Sequence, residues 1–514
     1  MKTKFTVLVI FFSSLLFSQT KIFQNSISEN SLNNTQKISE GLAKTYVSTQ
    51  YFSQPAFNLN SNLEIDLPTH QNIKAKFKTT YKYTNGSISY VYAIENNPNA
   101  ELIFSKYDNI ITGMYSSGDK KVIFHQTNGD IFALSVVSDQ KITDMDSKDD
   151  YILGQSNLNG QKLNPDICSA TTPICSTSKI DVVAAVTNGA RTNWGGLAQS
   201  ISFIATGITA FNNGLINSGI SNVTFNLVHV GEVNYSETGN MNLDLTRFRG
   251  TNDGFMDEIH GWKTAYGADL NVLICSEQPL SNLCGLGYIN INPTDYSGVN
   301  AYSITIYSCA ISNYTMIHEM GHNMGLRHDW YVDTDSSPCS HHHGYSNKTA
   351  ITLGTSSTPD QRWRTIMAYA DECSAIGISC ARINRWANPH AVYNFEPTGI
   401  AIGNPKPSDE AFAFSRFACI VSNFMPEAPN LTTIEVLPQT PDFTLYPNPA
   451  SETITINLND TDKYSFKVFN TVGQLILTTR ERTIYVKDFA SGVYFLSIYD
   501  DKNLPIGTKK FIVK

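Results

Sequence analysis

His318-Glu319-Met320-Gly321-His322-Asn323-Met324-Gly325-Leu326-Arg327-His328-Asp329 is the stretch on which the reading of this chain turns. His318 and His322 are four residues apart, so on a helix their imidazoles leave one face about a turn apart. Two neutral imidazoles placed that way can share a zinc ion, with Glu319 beside it and not needed as a ligand. Gly325 lets the backbone turn with positive φ, which a β-carbon would penalise. That turn brings His328 back to the same metal, and three protein ligands leave a fourth position for water. A bare HExxH could be a solvated helix face. Here the glycine and the third histidine both fall where the longer pattern requires them. Six of the eleven histidines lie between His318 and His343, a density that a random surface does not produce.

About forty residues on, Thr365-Ile366-Met367-Ala368-Tyr369 places a methionine in a short apolar turn. Together with the extended histidine motif, this resembles the metzincin clan of zinc endopeptidases, which carry a Met-turn beneath the metal. The pair His328-Asp329 is most similar to the reprolysin (adamalysin-like) branch. The resemblance covers roughly residues 178 to 425. Ile180-Asp181-Val182-Val183 looks like the opening strand of that fold, and Gly267 to Ile274 like its central strand. Cys284-Gly285-Leu286-Gly287-Tyr288 is similar to the segment leading into the substrate-binding edge strand.

The resemblance implies zinc held by His318, His322 and His328, with Glu319 as general base and then proton donor to the departing amine. It implies Met367 below the metal and Asp329 bracing the turn after the third ligand. Tyr369 has two readings: an extra zinc ligand, as in some metzincin branches, or a buried tyrosine bonded to a backbone carbonyl. His341-His342-His343 is read as a solvent-facing loop near the cleft, with a second metal patch as the alternative. Structural calcium is left open. The rival from another class is a secreted adhesin that keeps the fold without catalysis, but such a protein typically loses the Glu or a ligand, and this chain retains all four.

Composition bounds the rest. The 514 residues, 41% hydrophobic and 16% charged, are ordinary for a multidomain globular chain. A net charge of −8 with no basic run argues against nucleic acid or anionic membranes as partners. Met1-Lys2-Thr3-Lys4 and the apolar stretch Phe5 to Phe17 read as a signal peptide over 1–19, too short to span a bilayer. Nine cysteines, none before Cys168, agree with export to an oxidising compartment. Cys168 with Cys175, Cys275 with Cys284 and Cys373 with Cys380 are sequence neighbours, which does not fix their pairing.

Residues 20–170 read as a β-rich propeptide. Ile73 to Lys78 alternates apolar and polar, and Asn85-Gly86 and Asn128-Gly129 are hairpin signals. With no cysteine in 1–167, latency by a thiolate on zinc is excluded; a carboxylate or steric block is left open. From Ser178 the pattern changes to strands alternating with helices at Asn193–Leu215 and Asp257–Ala265, as in an α/β domain (178–425) with a mostly parallel twisted sheet. Ser312 and Asn313 are expected to cap the helix carrying His318. Pro426, Pro429, Pro438 and Pro441 mark a linker over 426–441. Beyond it, short strands predict a small antiparallel sandwich over 442–514. The Tyr446-Pro447-Asn448-Pro449 opening, the Val472-Gly473-Gln474 turn and Gly492-Val493-Tyr494 resemble type IX secretion sorting domains. The partners so implied are protein or peptide substrates and the type IX secretion machinery.

Overall fold

The structure is a computed structural model. It describes residues 20–427 and 443–514, apart from 56, 70, 128–129, 139–149, 155–167, 169–174, 277, 282, 293–295, 459–463, 471–474 and 500–504. The expected signal peptide, the Asn128-Gly129 turn, the Val472-Gly473-Gln474 turn and nearly all of the expected linker therefore lie outside the described residues. The chain divides into two compact units, 1–428 and 429–514.

The first unit opens with a ten-stranded sheet. Seven of its strands, from Leu63–Asp66 to Ile131–Val137, follow one another as an antiparallel meander. Strand Asn72–Lys82 contains the predicted alternation, and Asn85-Gly86 does connect it to its antiparallel partner Ile88–Ile94. A six-stranded sheet follows. Ser178–Thr187, Val223–Val233, Leu270–Cys275 and Tyr302–Ile306 are mutually parallel, and Gly285–Ile289 runs antiparallel outside the last of them. A short strand, Tyr151–Leu153, pairs parallel with Gly285–Ile289 and forms the outer edge.

Helix Leu197–Asn217 lies between the two sheets, buried from Gln199 to Leu215. One apolar core runs through both sheets, taking Val91, Ile103 and Met114 from the first and Val182, Ile204 and Phe211 from the second part. Polar contacts cross the same boundary. Thr112 and Ser202 share a hydrogen bond of 2.9 Å, Thr206 Oγ1 and Ser105 Oγ meet at 2.9 Å, and Tyr83 meets Thr209 at 2.7 Å. Glu101 of the first sheet accepts from Asn213 at 2.8 Å, Asn384 at 2.9 Å and Tyr314 at 3.1 Å.

Two local expectations are corrected. The helix predicted over Asn193–Leu215 is two helices, Asn188–Trp194 and Leu197–Asn217, because Gly195 and Gly196 take φ of +95° and +141°, which continue no helix. The helix carrying His318, Thr315–Asn323, has Tyr314 at its N-cap with φ +59° and no side-chain cap; Ser312 turns back to donate to the Ser308 carbonyl instead.

The second unit packs a three-stranded antiparallel sheet and a four-stranded one around Ile454, Val468, Leu496 and Phe511, the predicted small sandwich. Among the described residues no helix is long and apolar enough to cross a membrane.

Candidate metal centre

Helix Thr315–Asn323 lies against strand Gly285–Ile289, which only Tyr151–Leu153 separates from the edge of the sheet. The strand can approach because it is glycine-rich: a β-carbon at Gly285 would strike Glu319 Oε1 at 2.4 Å, and one at Gly287 would meet the Glu319 carbonyl at 2.9 Å. Glu319 is wholly buried beside that strand. After the helix, Gly325 turns the chain with φ +86°, and a β-carbon there would fall 1.7 Å from the Tyr296 hydroxyl. Gly325→Ala is therefore expected to cost the left-handed backbone penalty of about 1–2 kcal/mol and the clash besides. A lowered melting temperature with reduced metal content would show it; an unchanged melting temperature would refute it.

The turn brings His328 to within 3.1 Å of His322, measured between their Nε2 atoms. The Nδ1 atoms face the other way. That of His318 lies 2.9 Å from the Ile366 carbonyl and that of His322 lies 2.8 Å from the Leu326 carbonyl. A carbonyl can only accept, so both Nδ1 atoms carry the proton and both Nε2 atoms keep a lone pair for a metal. The loop Thr365–Tyr369 lies beneath, with Met367 so close that a β-carbon on Gly321 would meet its sulfur at 2.7 Å.

A fourth residue completes the cluster, and nothing in the local sequence pattern had pointed to it. Asp150 is 2% exposed; its Oδ1 lies 2.8 Å from His328 Nε2 and 3.4 Å from His322 Nε2, and its Oδ2 lies 3.2 Å from His318 Nε2. Among the described residues, Asp150, His318, His322 and His328 form one of two donor groups compact enough for an ion. His318 Nε2 and Asp150 Oδ1 are buried and make no hydrogen bond. Nitrogen donors facing a carboxylate in a buried cluster suit a shared cation, and a set of three imidazoles and one carboxylate suits zinc.

Without a metal, burial lowers His318 to about 4 and also lowers His322. For His328 burial is outweighed by the Asp150 carboxylate, and its pKa is raised. Burial alone would raise Asp150, but His328 and His318 hold it well below the ordinary carboxylate range.

Tyr369 is buried, as one of its two readings has it, and its hydroxyl donates to the Asp150 carboxylate. Its ring centre is 4.6 Å from that of His328. Asp329 accepts from the backbone N–H of Tyr369 at 2.8 Å and of Tyr331 at 3.0 Å, joining the turn after His328 to the methionine loop.

The expected solvent-facing loop at His341-His342-His343 is wrong, since all three are at most 2% exposed. His342 Nδ1 donates to the Gly325 carbonyl at 2.8 Å and His343 Nδ1 to the His328 carbonyl at 2.7 Å, so they hold the turn from behind. Cys339, His341 and His342 are the other compact donor group. Cys339 is bonded to Cys168, however, and a disulfide sulfur is not a thiolate ligand. Neither group is the all-oxygen cage that calcium takes, so calcium finds no support among the described residues.

The disulfides are mostly long-range: Cys168–Cys339, Cys175–Cys419 and Cys284–Cys309, with Cys373–Cys380 the one neighbour pair that forms. Cys275 is free and buried.

Within residues 178–425, a parallel sheet flanked by one reversed strand and laid on a helix presenting His-Glu-x-x-His is the layout of a metallopeptidase domain. A profile of metallopeptidase family M12 matches residues 176–379, and one of the secretion-system C-terminal sorting domain matches 444–514. Relatives include the peptidyl-Asp metalloendopeptidase of Stenotrophomonas maltophilia strain K279a, 37% identical over 47% of this chain and 51% of that protein. That of strain R551-3 is 32% identical over 60% of this chain and 67% of its own length. A third, from Pseudomonas fragi, is 30% identical over 36% of this chain and 87% of that protein. The chain belongs to metallopeptidase family M12 and carries a secretion sorting domain at its end. It spans about half the length of the first of these relatives.

Proposed function

We propose that this chain is a secreted zinc metalloendopeptidase, made as a latent precursor. In this reading 1–19 is a signal peptide, 20–170 a propeptide, 178–425 a metzincin catalytic domain of the reprolysin-like branch, 426–441 a linker and 442–514 a type IX sorting domain. The observation that carries the reading is the convergence of the His318, His322 and His328 Nε2 atoms, with His318 and His322 turned by carbonyls behind them.

Those three imidazoles would hold the ion, which supplies Lewis acidity to a water and to the scissile carbonyl. The remaining work falls to the chain. Once the cleft is open, a substrate extended along Gly285–Ile289 would add a strand to the sheet, fixing its carbonyl by main-chain hydrogen bonds. Glu319, pressed against that strand, accepts the proton of the attacking water and returns it to the departing amine. Tyr369, freed of Asp150, has a hydroxyl to donate to the developing oxyanion. Asp329 and Met367 keep the third ligand and the floor in place.

The names of the relatives make peptides containing aspartate the first substrate class to try. The test is zinc analysis with a peptide-library digest of cleaved enzyme. About one zinc per chain and chelator-sensitive cleavage are expected; metal-independent cleavage, or none with the site loaded, would overturn the reading.

A further inference from the structure

The segment that fills the centre comes from far away in the sequence and is held at several independent points. The backbone of Asp150 accepts from Gly287 N–H at 3.0 Å, and Gly154 N–H donates to the Ile289 carbonyl at 2.8 Å. Between them Tyr151, Ile152 and Leu153 lie in register with Gly287, Tyr288 and Ile289. The Tyr151 ring centre lies 5.2 Å from that of His322 and 5.4 Å from that of His328, the rings tilted to each other. Its hydroxyl donates to Asp333 at 3.1 Å and accepts from Arg327 at 3.2 Å, joining the pair those two residues make with each other. The segment thus takes both things a substrate needs, the free edge of the sheet and the open position among the histidines.

We propose that in the uncut chain Asp150 is the fourth ligand of the metal, and that Asp150 to Leu153 is a built-in inhibitor. This rests on the three histidines being the metal centre. The carboxylate takes the position that water must occupy for hydrolysis, and Tyr369 holds its second oxygen. Latency in this chain is therefore set by a carboxylate, as the lack of cysteine before Cys168 requires of any side-chain ligand with that role other than histidine.

The disulfides then limit where activation can occur. Cys168 is bonded to Cys339, on the far side of the histidine motif. A cut after Cys168 would leave Asp150 covalently attached to the catalytic domain. Hydrolysis of one peptide bond between Leu153 and Cys168 frees it, so the propeptide ends before Cys168 rather than at 170, and Cys168 and Cys175 stay behind as anchors of the new N-terminus.

The test uses the full chain with Glu319→Ala, which prevents self-cleavage, loaded with zinc and titrated with acetohydroxamate in a calorimeter. The uncut chain should show no binding up to millimolar probe, and adding Asp150→Ala should tighten binding by at least about 100-fold. Equal binding by the two proteins, each shown by its melting curve to be folded, overturns the latch. Failure of both to take up zinc overturns the metal centre itself and the latch with it. A second arm leaves Asp150 intact and inserts a recognition sequence for a specific protease. Cut between Leu153 and Cys168, the N-terminal fragment should separate on a non-reducing denaturing gel and probe binding should appear. Cut between Cys168 and Cys175, the fragment should stay attached until reductant is added. Separation without reductant, or a first cut that opens no binding, counts against the proposal.

Discussion

Glu319→Ala should keep its zinc and lose peptide hydrolysis by about a thousandfold, within the range ascribed to one positioned proton acceptor. The glutamate is not among the donors that converge on the centre; those are His318, His322, His328 and, in the uncut chain, Asp150. Its carboxylate lies instead against Gly285, on the side where the edge strand would present a substrate. Removing it therefore subtracts the base and leaves the ligand set intact. Metal content and kcat on an unfolded protein substrate, both measured on cleaved enzyme, separate the two effects. Full activity would sink the assignment, and loss of metal would make Glu319 structural.

Removing residues 442–514 is expected to reduce export to a few per cent or less while leaving specific activity within about twofold. The segment belongs to a separate compact unit with its own apolar core and matches a sorting domain. It contains no His or Cys, so it can supply neither an imidazole ligand nor a disulfide to the first unit. A truncated chain refolded in the laboratory should digest substrate normally, while the same chain in its native host stays in the periplasm. Normal appearance in the medium would remove the sorting role. Secretion with lost activity would instead make the segment a substrate-handling module.

The parts legible in the sequence are those whose chemistry is local. His318, Glu319, His322, Gly325 and His328 fall within eleven residues of one another, so helix and turn geometry alone predict their convergence. The strands after Ser178 and in the tail could be read for the same reason. Asp150 could not, since its partners stand 168 or more positions away and its own neighbourhood holds no motif. One signal did bear on it: without an early cysteine, a latent chain needs another ligand. The His341–His343 run misled because polarity was taken for exposure, whereas each of His342 and His343 finds a backbone carbonyl to bond. Disulfide pairing was not legible for the same reason as Asp150: three of the four bridges join residues that only the folded chain brings together.

The hydroxyl-lined boundary between the N-terminal sheet and helix Leu197–Asn217 bears on how the mature enzyme would behave once that sheet departs. Thr206 and Thr209, which meet the sheet, also donate to carbonyls one turn back in their own helix, those of Ser202 and Ala205, at 3.1 and 2.7 Å. They would not be orphaned by separation, and water can take the places of Ser105 and Tyr83. Glu101, whose pKa burial raises despite its amide and phenol donors, would regain full hydration and ionise freely, favouring departure. The uncovered helix face would mix hydroxyls and amides with the apolar side chains that now share a core with Val91, Ile103 and Met114. A protease freed into the surroundings of the cell would thus shed its first 150 or so residues without baring an uninterrupted greasy flank, keeping clumping with other copies in check.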